Sequence, residues 1–306
     1  MSILISIQIC SYNRAELLKK ALEGIFRQDC PPDDFEIILV DDGSTDGTAE
    51  MVRSLSPPCR LEYLYQPNSG LATARNRGIR AAGGEYILFI DDDIIADPQL
   101  LKEHLAMHRK YPGSVVNGWV NHVDDLEKCE KPRFTMADVS TSFFWTSNVS
   151  VRKDDLEKAG LFDESFSEYG WEDLELGVRL KNLGLKSRFN RRAVVYHYKK
   201  KWNKEDLERH FRQAEAKGRT AVVFLEKHPT LKVRLATGIY PLRFFINDLF
   251  FLGGAGERCL RKIVEGAPGG ALDGFYRFAA QKLIDFHYFA AIRSVLKKPA
   301  KSENAA

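Results

Sequence analysis

Gly84-Glu85-Tyr86-Ile87-Leu88-Phe89-Ile90-Asp91-Asp92-Asp93 is the stretch on which the fold turns, an apolar run that ends in three consecutive carboxylates. A run of this strand-forming composition reads as a fully buried strand. If the chain stays extended past Ile90, Asp91 and Asp93 fall on one side and Asp92 on the other. Three adjacent carboxylates repel one another and push each other toward protonation. Mg2+ or Mn2+ removes that penalty, because both prefer oxygen ligands and need only one or two protein carboxylates when phosphates supply the rest. The competing reading is a solvated acidic turn ahead of a helix that starts at Asp97-Pro98. Position favours the cation, since open α/β sheets place their ligands at the carboxyl ends of parallel strands.

Upstream of that stretch, strand and helix patterns alternate. Ile3 to Cys10 reads as a strand and Ser11 to Arg14 as a polar turn. Ala15 to Gln28 carries a helical stripe of Leu17, Leu18, Ala21, Leu22, Ile25 and Phe26. Phe35 to Val40 is a second strand, closed by the loop Asp41-Asp42-Gly43-Ser44-Thr45-Asp46-Gly47-Thr48, whose side chains suit a helix cap before Ala49 to Leu55. Leu61 to Tyr65 is a short strand, and Pro67-Asn68-Ser69-Gly70 turns into a helix over Leu71 to Ala82. This order predicts a mostly parallel, doubly wound sheet with right-handed crossovers.

Downstream, Pro98 to Lys110 reads as an amphipathic helix and Ser114 to Val123 as a strand. Phe143 to Arg152 is a further strand, whose Thr146 to Ser150 set small polar groups beside the acids. Phe162 to Tyr169 is a loop rich in acids and aromatics, and Trp171-Glu172-Asp173 opens a helix to about Leu183. Leu185 to Phe189 and Ala193 to Tyr198 are the last strands. From Trp202 the composition changes to long helical patterns: Glu205 to Lys227, Leu231 to Leu252 interrupted by Pro241, and Leu272 to Lys298. Gly253 to Gly256 and Gly266 to Gly270 read as connectors. The domain boundary falls near residue 200, giving 1–200 and 201–306.

The chain has 306 residues, 44% hydrophobic and 28% charged, which is the balance of a water-soluble protein with room for one large domain plus an appendage or for two domains. A net charge of +3 argues against an extended nucleic-acid surface, leaving only local basic runs at Arg188 to Arg192 and Lys199 to Lys204. Five scattered cysteines without a C-x-x-C pair read as reduced thiols, and hence as a cytoplasmic protein. The apolar start lacks a basic leader and is expected to be a strand rather than a signal peptide. No window offers about 18 uncharged apolar residues; Ala236 to Ala255 comes nearest but carries Arg243 and Asp248.

Four motifs in order, Ser11-Tyr12-Asn13-Arg14, Val40-Asp41-Asp42-Gly43-Ser44, Ile90-Asp91-Asp92-Asp93 and Trp171-Glu172-Asp173, give a chain that resembles family 2 glycosyltransferases over residues 3–198. Asn68-Ser69-Gly70, Arg75-Asn76-x-Gly78 and His197 add support. The resemblance implies a GT-A fold, Rossmann-like, with a mostly parallel sheet flanked by helices, here followed by a C-terminal helical extension. It implies transfer of a sugar from a nucleoside-diphosphate donor to a saccharide or lipid-linked acceptor, with inversion, in polysaccharide or glycolipid synthesis. Under it, Cys10, Tyr12, Arg14, Asp41, Asp42, Gly70, Arg75, Asn76, Asp91 and Asp92 would contact nucleotide or donor. Tyr12 would stack on the base and Asp42 accept a base N–H, which leans the donor toward uridine. Asp93, Asp91 and His197 would hold Mn2+ or Mg2+. Asn148 and Trp171 would meet a sugar. Asp173 would be the base that deprotonates the acceptor hydroxyl, with Glu172 as the alternative.

Each assignment has a structural competitor. Tyr12 also suits packing at the sheet edge, Asp42 a loop cap, Arg75 an exposed helical position, His197 a structural role, and Glu172-Asp173 compensation of a helix dipole. Two other functions compete: a sugar nucleotidyltransferase, against which the first loop lacks a Gly-rich basic phosphate cradle, and a non-catalytic nucleotide-sugar-binding relative. The aromatic-aliphatic block from Tyr240 to Leu252, beside Arg243, Arg258, Arg261 and Lys262, suits peripheral contact with a membrane's inner face, or packing on the catalytic domain or on another subunit of a homo-oligomer.

Overall fold

The computed structural model describes residues 3–126, 129, 132, 142–199, 202–268, 272 and 274–297. Strand β1 (Ile5–Ser11) sits inside an eight-stranded sheet and buries every residue except the half-buried Cys10, so neither of its faces is left to water. Parallel to it on either side run β2 (Phe35–Asp41) and β4 (Tyr86–Ile90), and β3 (Arg60–Tyr65) extends the parallel block beyond β2. Side-chain alternation sorts the core. Ile5, Ile7, Ile9, Ile37, Leu39, Leu88 and Ile90 pack on one face with Leu18 and Leu22 of α1 (Ala15–Ile25). Ile38, Val40, Ile87 and Phe89 pack on the other with Ala72, Ala74 and Ile79 of α3 (Leu71–Ala81).

The strand order is β3-β2-β1-β4-β7-β6-β8-β5. Beyond β4 the parallel pattern breaks, because β7 (Asn148–Arg152) runs antiparallel to both β4 and β6 (Ser114–Val123). β8 (Lys186–Tyr198) returns parallel to β6, and β5 (Ile94–Ala96) closes the edge antiparallel to β8. Helices α2 (Thr48–Arg53), α4 (Leu100–Lys110), α5 (Lys153–Lys158) and α6 (Glu172–Asn182) fill the connections.

Several boundaries differ from the sequence reading. The strand expected over Phe143 to Arg152 starts at Asn148, because the preceding residues form a turn closed by Asn148 N–H to Trp145 O. The two strands expected over 185–198 are one, with a bulge: the register moves from Gly118 opposite Asn190 to Trp119 opposite Val194. β5 and α5 carry too few residues to show a period. At Gly84 glycine is required, since a Cβ there would lie 2.6 Å from the Ser6 nitrogen, where β4 enters the sheet beside β1.

The chain divides into two compact units, 1–167 with 172–199, and 168–171 with 200–306. The second is helical: α7 (Leu207–Lys227), α8 (Leu231–Thr237), α9 (Pro241–Phe251), α10 (Ala255–Glu265) and α11 (Gly274–Leu296). Its core gathers Phe211, Phe251, Leu260, Val264, Ala280 and Leu283. Pro241 opens α9 rather than interrupting a longer helix, since a first-turn proline has no lost N–H bond to make good. Gly238, in the left-handed region, ends α8. The Gly253–Gly256 connector already contains the start of α10. The predicted helix end at Lys298, the connector residues Gly269 and Gly270, and Lys200 and Lys201 of the basic run lie outside the described residues.

Candidate active site

β4 runs out at Ile90, and the chain turns through Asp91-Asp92-Asp93 into β5. Asp92 is drawn into the protein: its Oδ2 accepts from Ser11 Oγ at 2.7 Å and its Oδ1 from Arg14 Nη1 at 2.9 Å. Asp91 and Asp93 converge instead with His197, their nearest donor atoms all within 4.8 Å of one another. The β5–β8 register explains the meeting, because it sets Ile94, the residue after Asp93, opposite His197. His197 Nε2 lies 3.2 Å from Asp93 Oδ1 and 3.6 Å from Asp91 Oδ2. Ser147 Oγ donates to Asp91, and Arg14 Nη1 reaches Asp93 Oδ2 at 3.0 Å.

The electrostatics follow from burial set against partners. Burial pushes Asp92 up to about 6, with Arg14 and Ser11 opposing. Burial also raises Asp93, His197 opposing and Asp91 reinforcing. Asp91 ends below the usual carboxylate range: burial acts upward, but His197 and the Ser147 hydroxyl outweigh it. Burial disfavours the His197 cation, yet the two carboxylates win and raise it.

The donor set fits a divalent cation. Asp93 Oδ1 is buried and, apart from its 3.2 Å approach to His197 Nε2, has no hydrogen-bond partner among the described residues, and two carboxylates meet one imidazole there.

The first two loops are laced together beside this cluster. Asn13, held at φ 53°, accepts the Thr45 N–H at 2.8 Å on its Oδ1, while its own N–H donates to Ser44 Oγ at 2.8 Å. Asp41 accepts from the Tyr63 hydroxyl and the Ser44 N–H. Asp42 accepts from Gln66 Nε2, Ser69 N and Gly70 N at 2.8–3.1 Å, holding the turn before α3. Gly43 lets the loops close, since a Cβ there would come within 2.7 Å of Asn68 N. Tyr12 projects into solvent, 49% exposed. Cys10 carries a neutral thiol, pushed up to about 12 mainly by burial.

Arg75 is buried, not exposed as its competing reading had it. Its Nη1 donates to Glu172 Oε1 and its Nη2 to Thr146 Oγ1, both at 2.6 Å, and its guanidinium sits 5.2 Å from the Phe162 ring centroid. It lies near enough to Cys10, Asp91 and Asp173 for their charges to act on it. Glu172 is thereby tied into an ion pair, whereas Asp173, 9% exposed in the first turn of α6, is the adjacent carboxylate in the same neighbourhood.

Three expected contacts are placed elsewhere. Asn148 is a correction: it is buried between strands, its Nδ2 donating to Ala193 O and Trp119 O and its Oδ1 bonded to His104 Nε2, so it is shut away inside the sheet rather than offered to a sugar. Asn76 clamps the following loop, accepting from Phe162 N and donating to Phe162 O and Glu164. Trp171 belongs to the helical unit, where its Nε1 donates to Lys217 O at 2.9 Å and its ring stacks on Phe224. It lines a cavity of about 530 Å³ there, with Tyr169, Trp202, Tyr240 and Tyr288. Sequence reasoning missed the roles of Ser11 and Ser147; the motif contained the first and the Thr146–Ser150 run the second, but neither names its acid partner.

Comparison with known proteins settles the family. The sequence model described as glycosyl transferase family 2 matches residues 6–163. The chain belongs to glycosyl transferase family 2. Validoxylamine A glucosyltransferase of Streptomyces hygroscopicus subsp. limoneus is 33% identical over 270 residues, covering 74% of this chain and 57% of that protein. Chondroitin synthase of Escherichia coli is 27% identical over 74% of this chain and 38% of that one. The chain spans about three fifths of the length of the curated relatives it matches first. Among solved structures, the mannosyltransferase PcManGT from Pyrobaculum calidifontis, in complex with GDP-Man and Mn2+, gives a TM-score of 0.63 at 18% identity, over 97% of this chain and 88% of that one. S. aureus TarS 1-349 with UDP-GlcNAc gives 0.56 at 19% identity, over 96% and 92%. At such identities these structures show the fold, and that fold is GT-A.

Proposed function

We propose that this family 2 chain transfers a sugar from a nucleoside-diphosphate donor to a hydroxyl acceptor, with inversion at the anomeric carbon, in the assembly of a polysaccharide or glycolipid. The convergence of Asp91, Asp93 and His197 at the end of β4 carries the reading, because that end of an open sheet is where phosphate-bearing ligands bind. Asp91, Asp93 and His197 would hold a Mn2+ or Mg2+, which when bound neutralises charge on the leaving diphosphate. Asp92, Ser11 and Arg14 fix the turn so that the other two carboxylates stay converged.

The exposed Tyr12 ring offers a face for the base, and Asp42 retains lone pairs for a base N–H. We take uridine first, with guanine as the comparison, because both bases present such a donor. Asp173 removes the acceptor's proton as its oxygen attacks an oxocarbenium-like centre, a role usually worth about 10²- to 10⁴-fold. Glu172, committed to Arg75, positions rather than abstracts.

Asp173→Asn decides the assignment: UDP-sugar binding by calorimetry stays within about twofold of wild type while transfer falls at least about 100-fold. Retention of more than about a tenth of kcat puts the base elsewhere.

A further inference from the structure

Helix α9 has two faces of opposite fate. Phe244 and Phe251 turn inward, Phe244 meeting Phe289 edge to face and Phe251 packing on Phe286, while Asp248 stays exposed on the flank and pairs with Arg293. Leu242, Phe245, Ile246, Leu249 and Phe250, at the i, i+3, i+4, i+7, i+8 spacing of a single helical stripe, turn outward with Leu252 just beyond, and all six are between 45% and 67% exposed. A stripe of six large apolar side chains left to water is far beyond the scattered exposed leucine of an ordinary surface.

We infer that this face of α9 docks in the interface of an anionic lipid bilayer, a surface function independent of the donor chemistry proposed above. Length excludes spanning. Leu231–Glu265 is long and apolar enough by composition to cross a membrane, but left-handed residues at Gly238 and at Leu252, Gly253 and Gly254 break it into three helices. The 11-residue α9 measures roughly 16 Å, about half of a hydrocarbon core. An amphipathic helix of that length lies in the plane of the interface.

Charge selects lipid over a second copy of the chain. Leu231 to Lys262 carries six basic and two acidic residues; Asp248 is paired with Arg293 from outside the segment, and Glu257 takes up Arg261, one of the six. Arg258 reaches the Gly254 end of α9, its Nη1 within 3.6 Å of where a Cβ on that glycine would sit, whereas the Arg243 guanidinium is turned onto the Phe289 ring. Cations flanking an apolar stripe complement phosphate headgroups. Across a two-fold axis the same cations would face their own copies.

Flotation of the full chain with phosphatidylcholine vesicles, with and without phosphatidylglycerol, tests this. We expect co-flotation with the phosphatidylglycerol vesicles at low salt, weakening as salt rises. Phe245→Ser with Leu249→Ser lowers partitioning about 100-fold, at roughly tenfold per buried side chain. Arg258→Gln with Lys262→Gln removes the anionic preference, at about fivefold per cation. Phe245→Trp, which keeps the face apolar, gives a blue-shifted emission quenched by brominated lipid, so the inference stays testable if the serine variant does not fold. Wild type recovered wholly in the soluble fraction with both vesicle types overturns it. So does binding that survives the serine pair, or a dimer in light scattering that the serine pair dissolves.

Discussion

The carboxylates after β4 and the imidazoles of α4 are both buried polar clusters beside one sheet, yet only the second closes on itself. Asn148 Nδ2 donates to two backbone carbonyls, which fixes Oδ1 as acceptor for His104 Nε2–H at 2.9 Å. His104 Nδ1 is then the bare nitrogen and accepts from the Ser150 hydroxyl at 2.7 Å, whose oxygen accepts from His108 Nε2–H at 2.7 Å. The chain of donors and acceptors is complete from the His108 Nε2–H to the backbone, and it carries no formal charge. Among the acids, three carboxylates crowd a turn opposite Arg14 and His197, and Asp93 Oδ1 has no hydrogen bond among the described residues beyond its 3.2 Å approach to His197 Nε2. A closed network holds a fold together; an open one, with a buried acceptor left over, is held together by the fold.

The sharpest test of that contrast is Asp93→Asn. It removes one of the mutually repelling carboxylates, so the unfolding temperature is expected to hold or rise. Transfer, followed as UDP release, is expected to drop at least about 100-fold. Stabilisation by Mn2+ with UDP, about 2.7 kcal/mol at a hundredfold excess over Kd in the wild type, should vanish. A loss of stability comparable to that of a broken core network would make the acids structural and end the comparison.

Acid pH probes the other cluster. Burial lowers His104 to about 4, and burial reinforced by His104 lowers His108 to about 3, so both rings are neutral in the folded protein. In the unfolded chain they titrate near about 6.5. Between those values the unfolded state binds more protons, and unfolding free energy falls as pH drops. His104 alone accounts for on the order of 3 kcal/mol between pH 7 and 4. His104→Gln should flatten the slope of stability against pH in that window, read by denaturant unfolding of the sheet unit; an unchanged slope places the protons elsewhere.

Ser150→Ala is the milder cut. It takes away the hydroxyl that both rings share, leaving two buried nitrogens unmatched at a cost of about 1–3 kcal/mol. Specific activity of the folded fraction should not move. Thermal unfolding and UDP release on one preparation separate the two clusters' roles.

What could be read from the sequence was what is local. An apolar run ending in acids, a glycine loop after β2 and a first-turn acid pair on α6 announce themselves by composition, and the acids, loop and helix start lie where that composition put them. What could not be read was pairing at distance. Arg75 looks like any helical arginine until Glu172, 97 residues on, is folded against it. Asn148 sits in a polar run beside Ser147, which does reach Asp91, but strand alternation turns Asn148 to the other side, into the histidine network. The antiparallel entry of β7 and the bulge in β8 are likewise products of neighbouring strands, invisible in either segment alone.

The smallest expected effect sits at the edge of the open cluster. Asn13 takes a left-handed conformation at φ 53° that asparagine tolerates and glycine adopts freely. Asn13→Gly therefore keeps the backbone and deletes only the Oδ1 bond to Thr45 N, costing about 1 kcal/mol or less. Asn13→Ala loses the same bond and adds the left-handed penalty, about 1–2 kcal/mol more. If the lacing of the first two loops serves donor binding, the glycine variant raises the donor KM severalfold with kcat unchanged, because the converged carboxylates themselves are untouched. A fall in kcat without a change in KM would mean that this loop shapes the acids rather than the nucleotide, and the open cluster would then reach one loop further than its charged atoms.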